Sequence, residues 1–134
     1  MSYLPVRLLP GADLRRSLEQ EASARLGGAG FVVAGIGSLS RVSVRLAAAE
    51  EETRMSGPFE IISVSGSLSA NGAHLHMSVA DASGQVFGGH LCYGNTIRTT
   101  AEVLLVAVTG WSLTRGRDPG TGYQELQVER RGPA

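Results

Sequence analysis

The chain has 134 residues, 43% hydrophobic and 18% charged, and its 18 glycines favour many short elements joined by tight turns over a helical bundle. Twelve basic residues, all of them arginine, balance twelve acidic ones. There is therefore no net charge to attract the protein to nucleic acid or to an anionic membrane. This length is typical of a single domain.

No segment has the character of a targeting or membrane-spanning sequence. Residues 1–16 are interrupted by Pro5, Pro10 and Asp13, so they lack the apolar core of a signal peptide. The longest uncharged apolar stretch, residues 103–113, is too short to span a bilayer. The single cysteine cannot form an internal disulfide, which fits a reducing compartment. The sequence thus predicts a cytoplasmic protein without a membrane segment.

The first predicted elements are a short extended segment, residues 3–9, and a helix after Pro10. Asp13 is a suitable N-cap for this helix. Its apolar residues recur at four-residue spacing, which places them on one face: Leu14, Leu18, Ala22 and Leu26. Gly27 and Gly28 end the helix, because glycine readily adopts the left-handed conformation of a helix end.

From residue 30 onward the apolar residues alternate with the period of two that is typical of strands. We predict strands at residues 31–36, 39–47, 59–68, 74–80, 85–93 and 103–112. Residues 81–84 (DASG) are typical of a tight turn, so the fourth and fifth strands should pair as an antiparallel hairpin. Residues 47–55 are predicted to be a solvated connector, with a helical turn as the alternative, and residues 129–134 a frayed tail.

Several ordered motifs resemble the PPC (plants and prokaryotes conserved) domain family. The core of the resemblance is residues 57–66 (GPFEIISVSG), 74–81 (HLHMSVAD), 84–91 (GQVFGGHL) and 99–103 (TTAEV). Further matching motifs are residues 8–11 (LLPG), 35–39 (GIGSL), 113–115 (LTR) and 118–122 (DPGTG). These motifs follow one another at compatible spacing over nearly the whole chain.

The resemblance implies an α+β fold in which a curved, mostly antiparallel sheet packs with one principal helix. The fold would form a single compact domain over residues 1–128, and the usual assembly of the family is a homotrimer. In plants, the PPC domain follows an AT-hook in nuclear DNA-binding proteins, where it serves protein–protein contact. This chain resembles the stand-alone prokaryotic form, whose function is poorly defined.

All three histidines of the chain lie in the predicted hairpin. His74 and His76 share a strand face at a spacing of about 6.6 Å, and His90 on the next strand can complete the set. Three neutral imidazoles suit Zn²⁺, with Ni²⁺ or Fe²⁺ as rivals, and leave a coordination position open. The resemblance adds that these positions match recurring histidines of the PPC family that have been associated with metal. The alternative is that the histidines hydrogen-bond one another and the backbone across a trimer contact.

Two carboxylates interrupt apolar strands and are candidate catalytic groups. Glu60 or Glu102 could accept a hydrogen bond from a ligand histidine or act as a general base on metal-bound water. The alternative is a structural salt bridge, for example with Arg98, or exposure at a strand end. Asp81 is interpreted as a turn former, and Cys92 as a small buried hydrophobe rather than a nucleophile.

The sequence leaves three functional hypotheses open and does not decide whether the protein is an enzyme. The first is a trimeric PPC-type binding and assembly module with a transition metal, zinc before others, at the three histidines. The second is a metal-dependent enzyme acting on a small-molecule ligand at the metal. The third is a DNA-associated regulator, but the neutral charge argues against direct DNA binding. Residues 115–117 (RGR) resemble an AT-hook, yet Asp118 follows at once and a structural loop is the better account.

Overall fold

The computed structural model describes residues 2–133, within which the chain forms one α-helix and eight β-strands. In chain order they are β1 (Ser2–Leu8), α1 (Leu14–Arg25), β2 (Gly30–Arg45), β3 (Thr53–Ser69), β4 (Gly72–Ala80), β5 (Val86–Leu91), β6 (Thr96–Ala107), β7 (Trp111–Arg117) and β8 (Gln124–Arg130). One helix beside a mostly antiparallel sheet confirms the α+β fold class. Within the described residues, no helix has the length and apolar character needed to cross a membrane.

The helix α1 begins and ends where its sequence predicts. The Asp13 carboxylate accepts a hydrogen bond from the Arg16 backbone N–H at 2.9 Å, which satisfies one of the free donors of the first turn. At the other end, Gly27 and Gly28 have positive φ angles of 64° and 73°. The predicted apolar face is buried: Leu14, Leu18, Ala22 and Leu26.

Six strands form one sheet in the order β1-β6-β2-β3-β4-β5, and all of its pairings are antiparallel. The last residues of β2 also pair with β5, through Val44 with Leu91 and Arg45 with His90. The strands β2, β3, β4 and β5 therefore close into a ring at this end of the sheet. This closure gives the sheet its curvature, and it brings β2 beside β5.

The core lies between α1 and one face of the sheet. Leu75 on β4, Leu68 on β3 and Leu105 on β6 are at most 1% exposed, as are Leu14 and Leu18 of the helix. Each fully buried leucine contributes about 1.5–3 kcal/mol through the hydrophobic effect. Because side chains alternate along a strand, burial of Leu75 directs its neighbours His74 and His76 to the opposite face of β4.

Several predicted strand boundaries differ from the structure. The strand β3 begins at Thr53, inside the connector predicted at 47–55, and β6 begins at Thr96, before the strand predicted at 103–112. The segments predicted at 31–36 and 39–47 are one strand, β2, which continues with shifts in its register to β6 and β3. Gly37 lies between them because β6 passes so close that a Cβ there would be 2.7 Å from the Ala101 Cα atom. The segment predicted at 103–112 is instead divided by a turn in which Gly110 has a φ of 84°.

A second, two-stranded sheet is formed by β7 and β8. The sequence predicts no strand at residues 124–130, whose side chains are mostly polar and, in the structure, mostly exposed. The predicted boundary between a domain of residues 1–128 and a tail of 129–134 lies inside β8, which extends to Arg130. Within the predicted tail, Glu129 and Arg130 pair with β7, and Ala134 lies outside the described residues.

Candidate metal centre

The β4–β5 hairpin positions the three histidines. Its turn is fixed by Asp81, whose carboxylate accepts hydrogen bonds from the backbone N–H groups of Ser83 and Gln85 at 2.9 and 3.0 Å. This is the role that the sequence assigns to Asp81. The resulting register sets His76 directly opposite His90, while His74 lies two residues earlier on β4.

The imidazoles converge on one face of the hairpin. A ligand nitrogen from each of the three rings lies within 4.8 Å of the other two. The ring centroids of His74 and His76 are 4.9 Å apart, those of His74 and His90 5.2 Å, and those of His76 and His90 6.0 Å. Two nitrogens on one tetrahedral zinc ion are about 3.4 Å apart, so even the widest pair must close by only roughly 1.4 Å.

Two glycines let the strands approach closely enough for this convergence. A Cβ atom at Gly88 would collide with the Met77 carbonyl oxygen on β4. A Cβ at Gly89 would lie 2.5 Å from the Arg45 carbonyl oxygen on β2. Glycine at these positions therefore accommodates neighbouring backbone on both sides of β5, next to His90.

Local electrostatics favour the neutral form of two of the imidazoles, those of His74 and His90. The pKa of His90 is lowered from 6.5 to about 4, first by burial and then by the positive charge of Arg45. Burial also lowers the pKa of His74, with Arg115 as the next cause. A metal must displace a proton from any protonated imidazole, so ligands that are neutral at pH 7 bind it without that competition.

The histidines border an open cleft of about 950 Å³. On the sheet, its floor carries Ser63, Ser65 and Ser78, beside Gly88, which has no side chain. One wall is the connector of residues 46–50, and Tyr123, which is 71% exposed, lies on another side. A ligand of small-molecule size could therefore reach a metal held by the three rings.

Arginines surround the histidines, and no feature of the sequence indicates this proximity. Arg45 is the Cα partner of His90, and Arg15 of α1 and Arg115 of β7 line a neighbouring cavity with His74 and His90. Three separate elements supply these residues. Their proximity arises from the β2–β5 pairing and from packing, so no local sequence pattern could have indicated it.

The candidate carboxylates do not border the cleft. Glu60 is exposed and pairs with Ala80, four residues along β4 from His76, which is about 13 Å in a strand. Glu102 is exposed on β6, where it pairs with Ile36 of β2, so β2 and β3 separate it from β4. Among residues 2–133, neither carboxylate is in an ion pair. Their catalytic role stays a prediction without geometric support.

The structure also places two further candidates from the sequence, Cys92 and residues 115–117. Cys92 is 6% exposed, and burial raises the pKa of its thiol, which is the opposite of nucleophile activation. Residues 115–117 lie in β7 and pair with β8, so they form a strand rather than the predicted loop or an extended AT-hook. An AT-hook would instead require a free, extended segment.

The fold and site together define an α+β protein with a partly closed antiparallel sheet and a three-histidine cluster on its hairpin. The profile of the Plants and Prokaryotes Conserved domain, abbreviated PCC or PPC, matches residues 1–109. The chain belongs to this family.

A sequence relative is a bifunctional protein GlmU of Synechococcus strain JA-3-3Ab, which is 47% identical over 126 residues. The match covers 94% of this chain and 20% of that protein, so the chain spans about a fifth of the length of its curated relative. The name of the relative describes a much longer protein.

Solved structures share the fold. A hypothetical protein of Salmonella is 34% identical with a TM-score of 0.93, over 97% of this chain and 94% of that one. A protein of Bacteroides thetaiotaomicron, described as a candidate DNA-binding protein, is 20% identical with a TM-score of 0.80, over 96% and 93%. A metal-containing protein of Archaeoglobus fulgidus is 24% identical with a TM-score of 0.76, over 95% and 94%. At these last two identities, the likeness concerns the fold alone.

Proposed function

We propose that this PPC-family chain is a trimeric binding and assembly module that holds a transition metal, zinc before nickel or iron, at His74, His76 and His90. The observation that carries the proposal is the convergence of three imidazoles within 4.8 Å. Three nitrogen ligands with a fourth position open to the cleft match a zinc site that can accept an outside group. The cytoplasmic location stays a prediction from the sequence.

The protonation state of the histidines supports a metal site over histidines that only hydrogen-bond one another and the backbone. The lowered pKa values of His74 and His90 favour the neutral imidazole, in which one ring nitrogen carries no proton and can bind a metal. Arg45 and Arg115 are positively charged and cannot act as metal ligands, so their charge repels a metal ion that is only loosely held. This repulsion would not prevent coordination by three converging imidazoles, because coordination is a short-range interaction.

Metal analysis tests the proposal directly. We expect protein purified without an affinity tag to contain close to one zinc, nickel or iron ion per chain. His90→Ala should lose the metal, and excess chelator should lower the unfolding temperature of the wild type towards that of the variant. Glu60→Gln and Glu102→Gln are matched controls that should keep the metal, because both carboxylates lie outside the cleft.

Two results would contradict the metal site. One is wild-type protein without a stoichiometric transition metal that also fails to take one up. The other is wild-type protein, as purified, that has the same unfolding temperature with and without excess chelator. The second result would favour histidines that hydrogen-bond across a subunit contact.

A second candidate function, a metal-dependent enzyme, is favoured by the open cleft beside the histidines. A metal there could activate water or polarise a carbonyl group. The acid that lines this cleft is Glu50, on the connector between β2 and β3, rather than Glu60 or Glu102. Since Glu50 is exposed, it is a weaker candidate for a tuned general base, and the binding module remains the proposal.

A DNA-associated role has less support. The net charge is zero, and residues 115–117 are part of a strand pair. The Bacteroides protein described as a DNA-binding candidate is 20% identical, which concerns the fold. Direct DNA binding is therefore not part of the proposal.

A further inference from the structure

A row of four side chains crosses the sheet beside the cleft. Cα pairing places Arg45 of β2 opposite His90 of β5, His90 opposite His76 of β4, and His76 opposite Ser65 of β3. Side chains directly opposite in antiparallel strands lie on the same face, with Cβ atoms about 4.5–5.5 Å apart. The Arg45 guanidinium therefore lies beside the histidine cluster and at the edge of the same cleft.

Arg45 differs from the other two arginines near the histidines. Arg15 pairs with Glu19 at 3.4 Å and donates hydrogen bonds to the carbonyl oxygens of Leu91 and Ala73. Arg115 donates to the Gln124 carbonyl oxygen at 2.7 Å. Arg45, by contrast, is exposed, and within residues 2–133 the ion pairs involve other arginines. Its charge is therefore available to a ligand.

The charges around the cleft favour an anion once a metal is bound. Arg45 lines the cleft with the three histidines, and Arg15 and Arg115 line a neighbouring cavity with His74 and His90. Three acids oppose these arginines: Glu19, which forms an ion pair with Arg15, Glu125 in the neighbouring cavity, and Glu50, which lines the cleft from the connector. A bound divalent metal would add two positive charges to this balance.

The floor of the cleft offers hydrogen bonds and space. Ser65 lies at the end of the row, next to His76. The hydroxyl groups of Ser63 and Ser78 form a hydrogen bond with an oxygen–oxygen distance of 2.9 Å, and each hydroxyl can form another hydrogen bond. Gly88, opposite Ser78, leaves the floor flat at this point. A ligand oxygen could contact these hydroxyls while another reaches the metal.

We infer that the cleft binds a small anion through a carboxylate or phosphate group, held between the open position of the metal and the Arg45 guanidinium. The inference rests on the proposed metal site. A planar guanidinium matches both oxyanions with two parallel hydrogen bonds, which a lysine cannot reproduce. Arg45 is therefore a residue that selects the ligand, and the serines of the floor would contact the rest of it.

The test uses the full chain loaded with Co²⁺, because the visible absorption of cobalt reports a change of ligand at the ion. Inorganic phosphate and acetate are titrated separately, which distinguishes the two anion classes. We expect a saturable spectral change with at least one of them. Arg45→Gln should raise the dissociation constant of the anion by about tenfold, because the charge-assisted hydrogen bonds of the guanidinium are lost at an exposed site. Arg45→Lys should raise it by less.

Arg41→Gln is the matched control. Arg41 is an exposed arginine four residues earlier on β2, and it lines a different cavity from Arg45. The Arg41→Gln protein should bind the anion with the affinity of the wild type, and all three variants should bind one cobalt ion per chain. The unchanged cobalt content separates loss of the anion from loss of the metal.

Three outcomes would overturn the inference. If cobalt binds stoichiometrically but neither anion changes its spectrum, the metal site stands and the anion site is wrong. If Arg45→Gln and Arg41→Gln lower the affinity for the anion equally, Arg45 does not hold the anion. If cobalt does not bind at all, the metal proposal fails, and this inference fails with it.

Discussion

The lowered pKa of His90 results from the position of its ring in the sheet. The ring is partly buried between β4 and β2, and Arg45 stands opposite it, so the charged form is disfavoured from two directions. An exposed histidine with a pKa near 6.5 would be partly protonated at pH 7. Lowering the pKa to about 4 removes that fraction. The same surroundings that make the ring a good ligand make it costly to protonate.

The metal-free protein should lose stability on mild acidification. The folded state has lowered pKa values at His90 and His74, so between pH 6.5 and about 4 the unfolded state binds more protons. The free energy of unfolding should therefore decrease as the pH falls through this window. Urea titrations with chelator at several pH values measure it. His90→Gln should show a shallower slope, and identical slopes for both proteins would refute this prediction.

At the scale of elements, the β4–β5 hairpin could be predicted well. Its turn residues, its alternating apolar pattern and its three histidines are all local features, and the structure confirms the turn at Asp81. The position of Arg45 could not be predicted, because it depends on β2 closing against β5 across 45 residues of sequence. The strand β8 was also missed, since its pairing uses backbone hydrogen bonds while its side chains remain mostly exposed.

Gly88 offers a test of whether the hairpin geometry creates the site. In Gly88→Ala, the new methyl group would collide with the Met77 carbonyl oxygen and force β4 and β5 apart. We expect the free energy of unfolding to decrease by about 1–3 kcal/mol, as in overpacked sites. Metal affinity should also fall, because His76 and His90 face each other across this pair. Denaturant unfolding and zinc titration measure the two effects.

Gly132→Ala is the control for this substitution, since a Cβ there meets no atom within 4 Å. It should match the wild type in both measurements. A Gly88→Ala protein that unfolds earlier but binds zinc normally would show that strand separation and ligand geometry are independent. That result would contradict the link between the hairpin register and the metal site.

For the whole molecule, family membership and local chemistry give different kinds of information. The PPC resemblance predicted the α+β fold over nearly the full chain, and the family profile and the solved structures confirm it.

The predicted assembly depends on a different feature, the apolar surface of the sheet. Several large apolar side chains on β2 and β3 remain exposed in the single chain, among them Val33 (50%), Ile36 (54%) and Ile62 (50%). Exposed apolar side chains gathered on neighbouring strands are typical of interaction surfaces.

We expect light scattering at micromolar concentration to give about three times the 14.0 kDa mass of one chain. Ile36→Lys should lower that mass, because it replaces an apolar side chain in the expected contact with a charge that is costly to remove from water. Val128→Lys, at an equally exposed apolar position on β8, is the control and should leave the trimer intact. A wild-type monomer would refute the trimer. A trimer that survives Ile36→Lys but dissociates with Val128→Lys would place the contact at the β7–β8 sheet.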